Sequence, residues 1–63
     1  MINCIIIDDE KPARESLNLL MNYYFSDKVK VLGKAESLKD GVLLIYKYSP
    51  DLVFLDIEMP EEN

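Results

Sequence analysis

Two short, wholly apolar runs, Cys4-Ile5-Ile6-Ile7 and Leu52-Val53-Phe54-Leu55, each stop at a carboxylate: Asp8-Asp9-Glu10 after the first and Asp56 after the second. Runs without polar alternation and rich in β-branched side chains belong to strands buried on both faces, so the sheet that holds them must be covered on both sides. The first strand is expected over residues 3–7 and the third over 52–55. Between them Pro12 suits the first turn of a helix, and Ala13, Leu17, Leu20, Met21 and Tyr24 recur at three- and four-residue spacing, which predicts a helix over 11–24. Residues 29–35 alternate, with Val29, Val31, Gly33 and Ala35 on one face. On the other face lie Lys30, Leu32 and Lys34, and two lysines in a strand mark a sheet edge. Ser37 stands three residues before Asp40 in a near capping box, and Leu38, Gly41, Val42 and Ile45 form an apolar stripe, giving a second helix over 38–48 that stops at Ser49-Pro50.

The order βαβαβ implies an α/β fold with a parallel sheet and right-handed crossovers. With strand order 2-1-3 the helices cover opposite faces, and strands 1 and 3 meet at a topological switch point, where open α/β sheets bind ligands. At 63 residues the chain holds one small core. A domain of this size buries only about 60% of the surface its unfolded chain exposes, so its stability is marginal.

Composition narrows the chemistry. There is no His, and the single Cys has no partner for a disulfide or a thiolate zinc site, so reactivity must rest on carboxylates. Cys4, in an apolar strand, is expected to be buried and inert. Asp and Glu number 12 against 7 Lys and Arg, a net charge of −5 that repels nucleic acid and anionic lipid. No apolar run approaches the roughly 18–20 residues that a bilayer requires, and Asp8, Asp9 and Glu10 interrupt any signal-peptide core, so a cytoplasmic location is expected.

Asp8, Asp9 and Asp56 lie far apart in sequence, yet each sits where a strand ends. The 2-1-3 order brings all three to one rim. Singly, each would pass as a solvated loop residue; together they repel one another, and a hard divalent cation relieves that repulsion. Oxygen-only ligation favours Mg²⁺ or Mn²⁺ over zinc.

The string Ile5-Ile6-Ile7-Asp8-Asp9-Glu10, the Pro12-Ala13-Arg14 after it, and the stretch from Pro50 through Asp56-Ile57-Glu58-Met59-Pro60 resemble the receiver domain of two-component response regulators. DDEKPAR and DIEMP are most similar to receivers that precede a LytTR-type DNA-binding domain. The resemblance implies the N-terminal half of a flavodoxin-like (CheY-like) doubly wound sheet over residues 1–63, with the remainder of the receiver and the output domain absent. It implies Asp56 as phosphoacceptor, taking a phosphoryl group from a sensor histidine kinase. It further implies Mg²⁺ held by Asp8 or Asp9, the Asp56 side chain and the main-chain carbonyl of Glu58, with Asp9 the usual direct ligand and Asp8 acting through water. DNA would be bound only through the output domain. The family's hydroxyl residue on strand 4 and lysine on strand 5 fall beyond Asn63, so efficient phosphotransfer is expected of a parent protein and not of these residues alone.

Two other functions compete. A Mg²⁺-dependent phosphatase or phosphotransferase of the haloacid dehalogenase type would carry its aspartyl nucleophile on strand 1 in a D-x-D-x-[TV] string, which Asp8-Asp9-Glu10 does not match. A non-catalytic fragment that only self-associates is the other. Strand 3 is expected to present residues 52–55 as an uncharged edge, favouring a homodimer with a continuous six-stranded sheet. Of the remaining residues, Tyr23, Tyr24 and Phe25 read as core and rim and not as an interaction patch. Arg14 either approaches the acidic rim or is solvated, Gly33 allows close packing or a bulge, and Glu61 and Glu62 read as loop charges.

Overall fold

The computed structural model describes residues 1–57 and contains β1 (Ile2–Asp8), α1 (Lys11–Tyr24), β2 (Val29–Ala35), α2 (Leu38–Tyr48) and β3 (Leu52–Asp56). The strands form one sheet in the order β2-β1-β3, and both pairings are parallel. β1 is therefore central, and its apolar run is the core: Cys4, Ile5, Ile6 and Ile7 are all buried. Alternation along β1 divides that core between the two faces. Ile5 and Ile7 pack with Ala35 against Leu44 and Ile45 of α2, while Ile6 faces Ala13 and Leu17 of α1. Each fully buried Ile contributes about 1.5–3 kcal/mol relative to exposure.

Local chemistry sets the element ends. Pro12 lies in the first turn of α1, where its missing N–H has no intrahelical partner to lose. Phe25 closes the turn into β2 by accepting from the N–H groups of Lys28 and Val29. Ser37 caps α2, its Oγ accepting from the Asp40 N–H at 3.2 Å. Ser49 ends α2 in the left-handed region (φ 46°) and donates its N–H to the Ile45 carbonyl at 2.8 Å, ahead of Pro50.

Three sequence expectations are corrected. The alternation of β2 is broken: Val31 pairs with Cys4 but Gly33 with Ile5, leaving Leu32 unmatched in a bulge. Gly33 also permits the close packing expected, since a Cβ there would meet Leu44 at 3.2 Å. The helices bury only part of each expected stripe. Met21 and Gly41 are buried, whereas Leu20, Tyr24, Leu38 and Val42 are exposed. Finally, Tyr23 and Tyr24 are not core; they stand 77% and 67% exposed and pack ring against ring at 4.9 Å, with Phe25 also exposed. These aromatics lie in the last turn of α1 and just past it, off the face that Met21 buries against the sheet.

β2 forms one edge of the sheet, as its lysines predicted, and Lys34 bonds Glu15 of α1 at 3.1 Å. Both helices pack chiefly over β1 and β2, and β3 reaches this packing through its side chains, Val53 joining the Ile5, Ile7 and Ala35 cluster and Phe54 bordering Ala13 and Leu17. Among the described residues no helix is long and apolar enough to cross a membrane.

Candidate functional site

The carboxyl ends of β1 and β3 lie side by side. Asp8 is matched in register with Asp56, and the pairs behind them are Ile7 with Leu55 and Ile6 with Phe54. Asp8 is only 6% exposed, its charge held next to the core, while Asp56 is exposed. A buried carboxylate needs hydrogen-bond donors. The Glu10 N–H supplies one, reaching Asp8 Oδ1 at 2.9 Å across an Asx-type turn that starts α1. Arg14 Nη1 donates to the Asp8 main-chain carbonyl at 2.8 Å. Of the two readings of Arg14, the structure thus supports the approach to the rim, through the main chain and not through a carboxylate.

Asp8, Asp9, Glu10, Asp56 and Ile57 line an open depression of about 410 Å³. A second depression, of about 310 Å³, shares Asp8 and Asp56 and runs between β3 and α1 past Ile6, Ala13, Leu17 and Phe54. The rim is the switch point expected from the topology, because α1 leaves β1 on one face and α2 precedes β3 on the other. Glu10 also lines the depression, a part that its place in the acidic triplet alone did not assign.

The expected ligand residues therefore share one rim, but among the described residues no three acidic, His or Cys side chains converge closely enough to hold a metal ion by themselves. The fit to a hard cation rests on the donor chemistry. Mg²⁺ keeps several waters and uses one or two carboxylates together with phosphate oxygens, so the Asp8–Asp56 pair suits it without a protein cage. Glu58, whose carbonyl the resemblance assigns to the metal, lies outside the described residues, as do Glu61 and Glu62.

A family model described as the response regulator receiver domain matches residues 4–63. An uncharacterized response regulatory protein of Vibrio cholerae is 41% identical over 61 residues, 97% of this chain and 25% of that protein. The transcriptional regulatory protein BtsR of Salmonella typhi is 37% identical over 60 residues, 95% of this chain and 24% of its own length. The sensory transduction protein LytT of Bacillus anthracis is 33% identical over 63 residues, 100% of this chain and 25% of that protein. The chain thus spans about a quarter of the length of these curated relatives. No significant match is found among solved structures. The β2-β1-β3 sheet with its two helices is an α/β half of the receiver fold, and the chain belongs to the response regulator receiver domain family.

Proposed function

We propose that this chain carries the phosphoacceptor rim of a two-component response regulator, with Asp56 taking a phosphoryl group from a phosphohistidine on a sensor histidine kinase. The observation that carries this reading is the pairing of a buried, hydrogen-bonded Asp8 with an exposed Asp56 at the carboxyl edge of a parallel sheet. In the transfer an Asp56 carboxylate oxygen attacks phosphorus, the P–N bond of the phosphohistidine breaks, and the departing imidazole nitrogen keeps the electron pair. The product is an acyl phosphate. Exposure of Asp56 leaves it open to a donor in another protein. Asp8, fixed by the Glu10 N–H, contributes negative charge that does not move during the step. Asp8, Asp9 and Asp56, with the Glu58 carbonyl, would hold Mg²⁺ or Mn²⁺, which neutralises charge on the transferring oxygens when bound.

The likeness to a sensory transduction protein and a transcriptional regulatory protein supports a parent that acts in the cytoplasm and passes the signal to a DNA-binding output domain, of LytTR type by the DDEKPAR and DIEMP strings. These residues are then one part of a longer receiver. In the intact regulator, labelling by a phosphohistidine donor or acetyl phosphate, followed by mass spectrometry, should be lost in Asp56→Asn with the circular dichroism spectrum unchanged. Labelling that survives this substitution overturns the assignment. A millimolar Mg²⁺ titration should shift the amide resonances of Asp8, Asp9 and Asp56, and Asp9→Asn should remove the response.

A further inference from the structure

β3 has an unusual problem of register. In a strand with one buried face, a slip by one residue is prevented because it turns the apolar set to solvent. Leu52, Val53, Phe54 and Leu55 are apolar on both faces, so their pattern contains no such safeguard. Packing limits a slide only in part: Val53 joins the cluster of Ile5, Ile7 and Ala35 that Leu44 and Ile45 cover, and Phe54 borders Ala13 and Leu17, while Leu52 and Leu55 stay exposed. Ladder length is equally permissive. The first matched pair is Cys4 with Leu52, and β1 begins two residues earlier at Ile2, so β3 could slide back by two and keep five pairs. That slide would carry Asp56 about 6–7 Å along the sheet, at roughly 3.3 Å per residue, and set it opposite Ile6.

At the other end of the strand from Asp56 sits a reciprocal pair of hydrogen bonds. The Asp51 N–H donates to the Asn3 carbonyl at 2.9 Å, and the Asn3 N–H donates to Asp51 Oδ2 at 2.9 Å. Only Asp51 supplies a side-chain acceptor just ahead of β3, and it reaches one particular amide of β1. An exposed hydrogen bond adds little to total stability, but here it adds to the bias that half-buried Val53 and Phe54, and the cost of carrying Asp56 onto the apolar stretch beside Ile6, already give the observed register.

We propose that Asp51 is a positioning residue: its clasp on Asn3 fixes the register of β3 on β1 and thereby sets Asp56 opposite Asp8. The functional consequence rests on Asp56 and Asp8 acting together as the rim described above; the register itself does not. Two readouts on the 63-residue chain keep these apart. Cross-strand nuclear Overhauser effects between the ends of β1 and β3 report register without any ligand, and Mg²⁺-induced shifts at Asp8 and Asp56 report the rim. Asp51→Ala should lose or displace the Asp8–Asp56 effects and weaken the Mg²⁺ response about tenfold, the scale typical of residues that orient metal ligands. Asp51→Asn, which keeps a side-chain oxygen to accept from Asn3, should restore both. Wild-type cross-strand effects in Asp51→Ala would overturn the proposal and assign the register to the short α2–β3 connection. Should the alanine chain fail to fold, hydrogen exchange at the Asn3 amide of the unsubstituted protein decides. Protection supports the clasp, and exchange at the rate of a free amide overturns it. Absence of any Mg²⁺ response in the unsubstituted chain would instead count against the proposed function and leave the register result standing.

Discussion

At the scale of single residues, the tightest constraint is the approach of α2 to the sheet at Gly41. A Cβ at this position would overlap Ile7 Cδ1 and lie 2.8 Å from Ile7 Cγ1, so something must shift to admit it. Ile7 is itself buried between β2 and α2 and has little room to turn. Alanine is otherwise the better helix former, by about 1 kcal/mol, so the two effects oppose. Overpacking typically costs about 1–3 kcal/mol and should win, and Gly41→Ala is expected to lower the urea midpoint. An unchanged or raised midpoint would mean that Ile7 repacks freely. Cys4 supplies a pH dependence. Burial pushes its thiol up from the ordinary value of 9.0, so the folded state holds the proton more tightly than the unfolded state. Its contribution to stability is therefore complete below the unfolded pKa, near 9, and is lost as pH rises beyond it. Comparing the stability of the unsubstituted chain with Cys4→Ala between about pH 8 and pH 10 isolates this slope, because the two chains differ in no other ionisable group. Parallel pH profiles would contradict it.

The elements were legible where their limits are local. The ranges 11–24, 29–35 and 38–48 were readable because Pro12, the Ser37–Asp40 cap and Ser49-Pro50 act within a turn of the chain. The cap should be measurable: Ser37→Ala removes the acceptor of the Asp40 N–H and should cost about 1 kcal/mol in denaturant unfolding. A loss near zero would show that solvent replaces the serine oxygen. What periodicity did not resolve was which part of each stripe meets the sheet. Leu38 and Val42 share a stripe with Gly41 and Ile45 in sequence, but α2 packs chiefly over β1 and β2, so the side of the stripe away from them stays exposed. Gly33 pointed to close packing or a bulge, and both are found; that Leu32 is the unmatched residue emerges only from the pairing with β1. The acidic rim was legible because a strand end is a local event, whereas the Asp51–Asn3 clasp joins residues 48 apart and leaves no local sign.

At the scale of the whole molecule, the two edges of the sheet differ. β2 exposes Lys30 and Lys34, which discourage pairing with another chain. β3 pairs on one side with β1, and among the described residues nothing pairs with its other side. That side belongs to an uncharged run in which Leu52 is 40% and Leu55 58% exposed, while Val53 and Phe54 are half-buried. A net charge of −5 opposes association, but the rim carboxylates sit at one end of β3. A two-fold pairing runs two copies of β3 antiparallel, which places the acidic rims at opposite ends of a six-stranded sheet and minimises their repulsion. Each CH₂ group removed from water contributes about 0.8 kcal/mol, so contact along this run can exceed the cost of ordering two chains. The isolated 63-residue chain is therefore expected to dimerise through β3. Sedimentation equilibrium over a concentration series should show the dimer, with the association strengthened by salt as the screened charges cease to oppose it. Val53→Lys places a cation in the middle of the seam and should return the chain to a monomer. A folded monomer at high micromolar concentration in the unsubstituted chain would refute the β3 seam, and a dimer that survives Val53→Lys would move the contact to the exposed face of α1, where Leu19, Tyr23 and Tyr24 form the other large apolar surface.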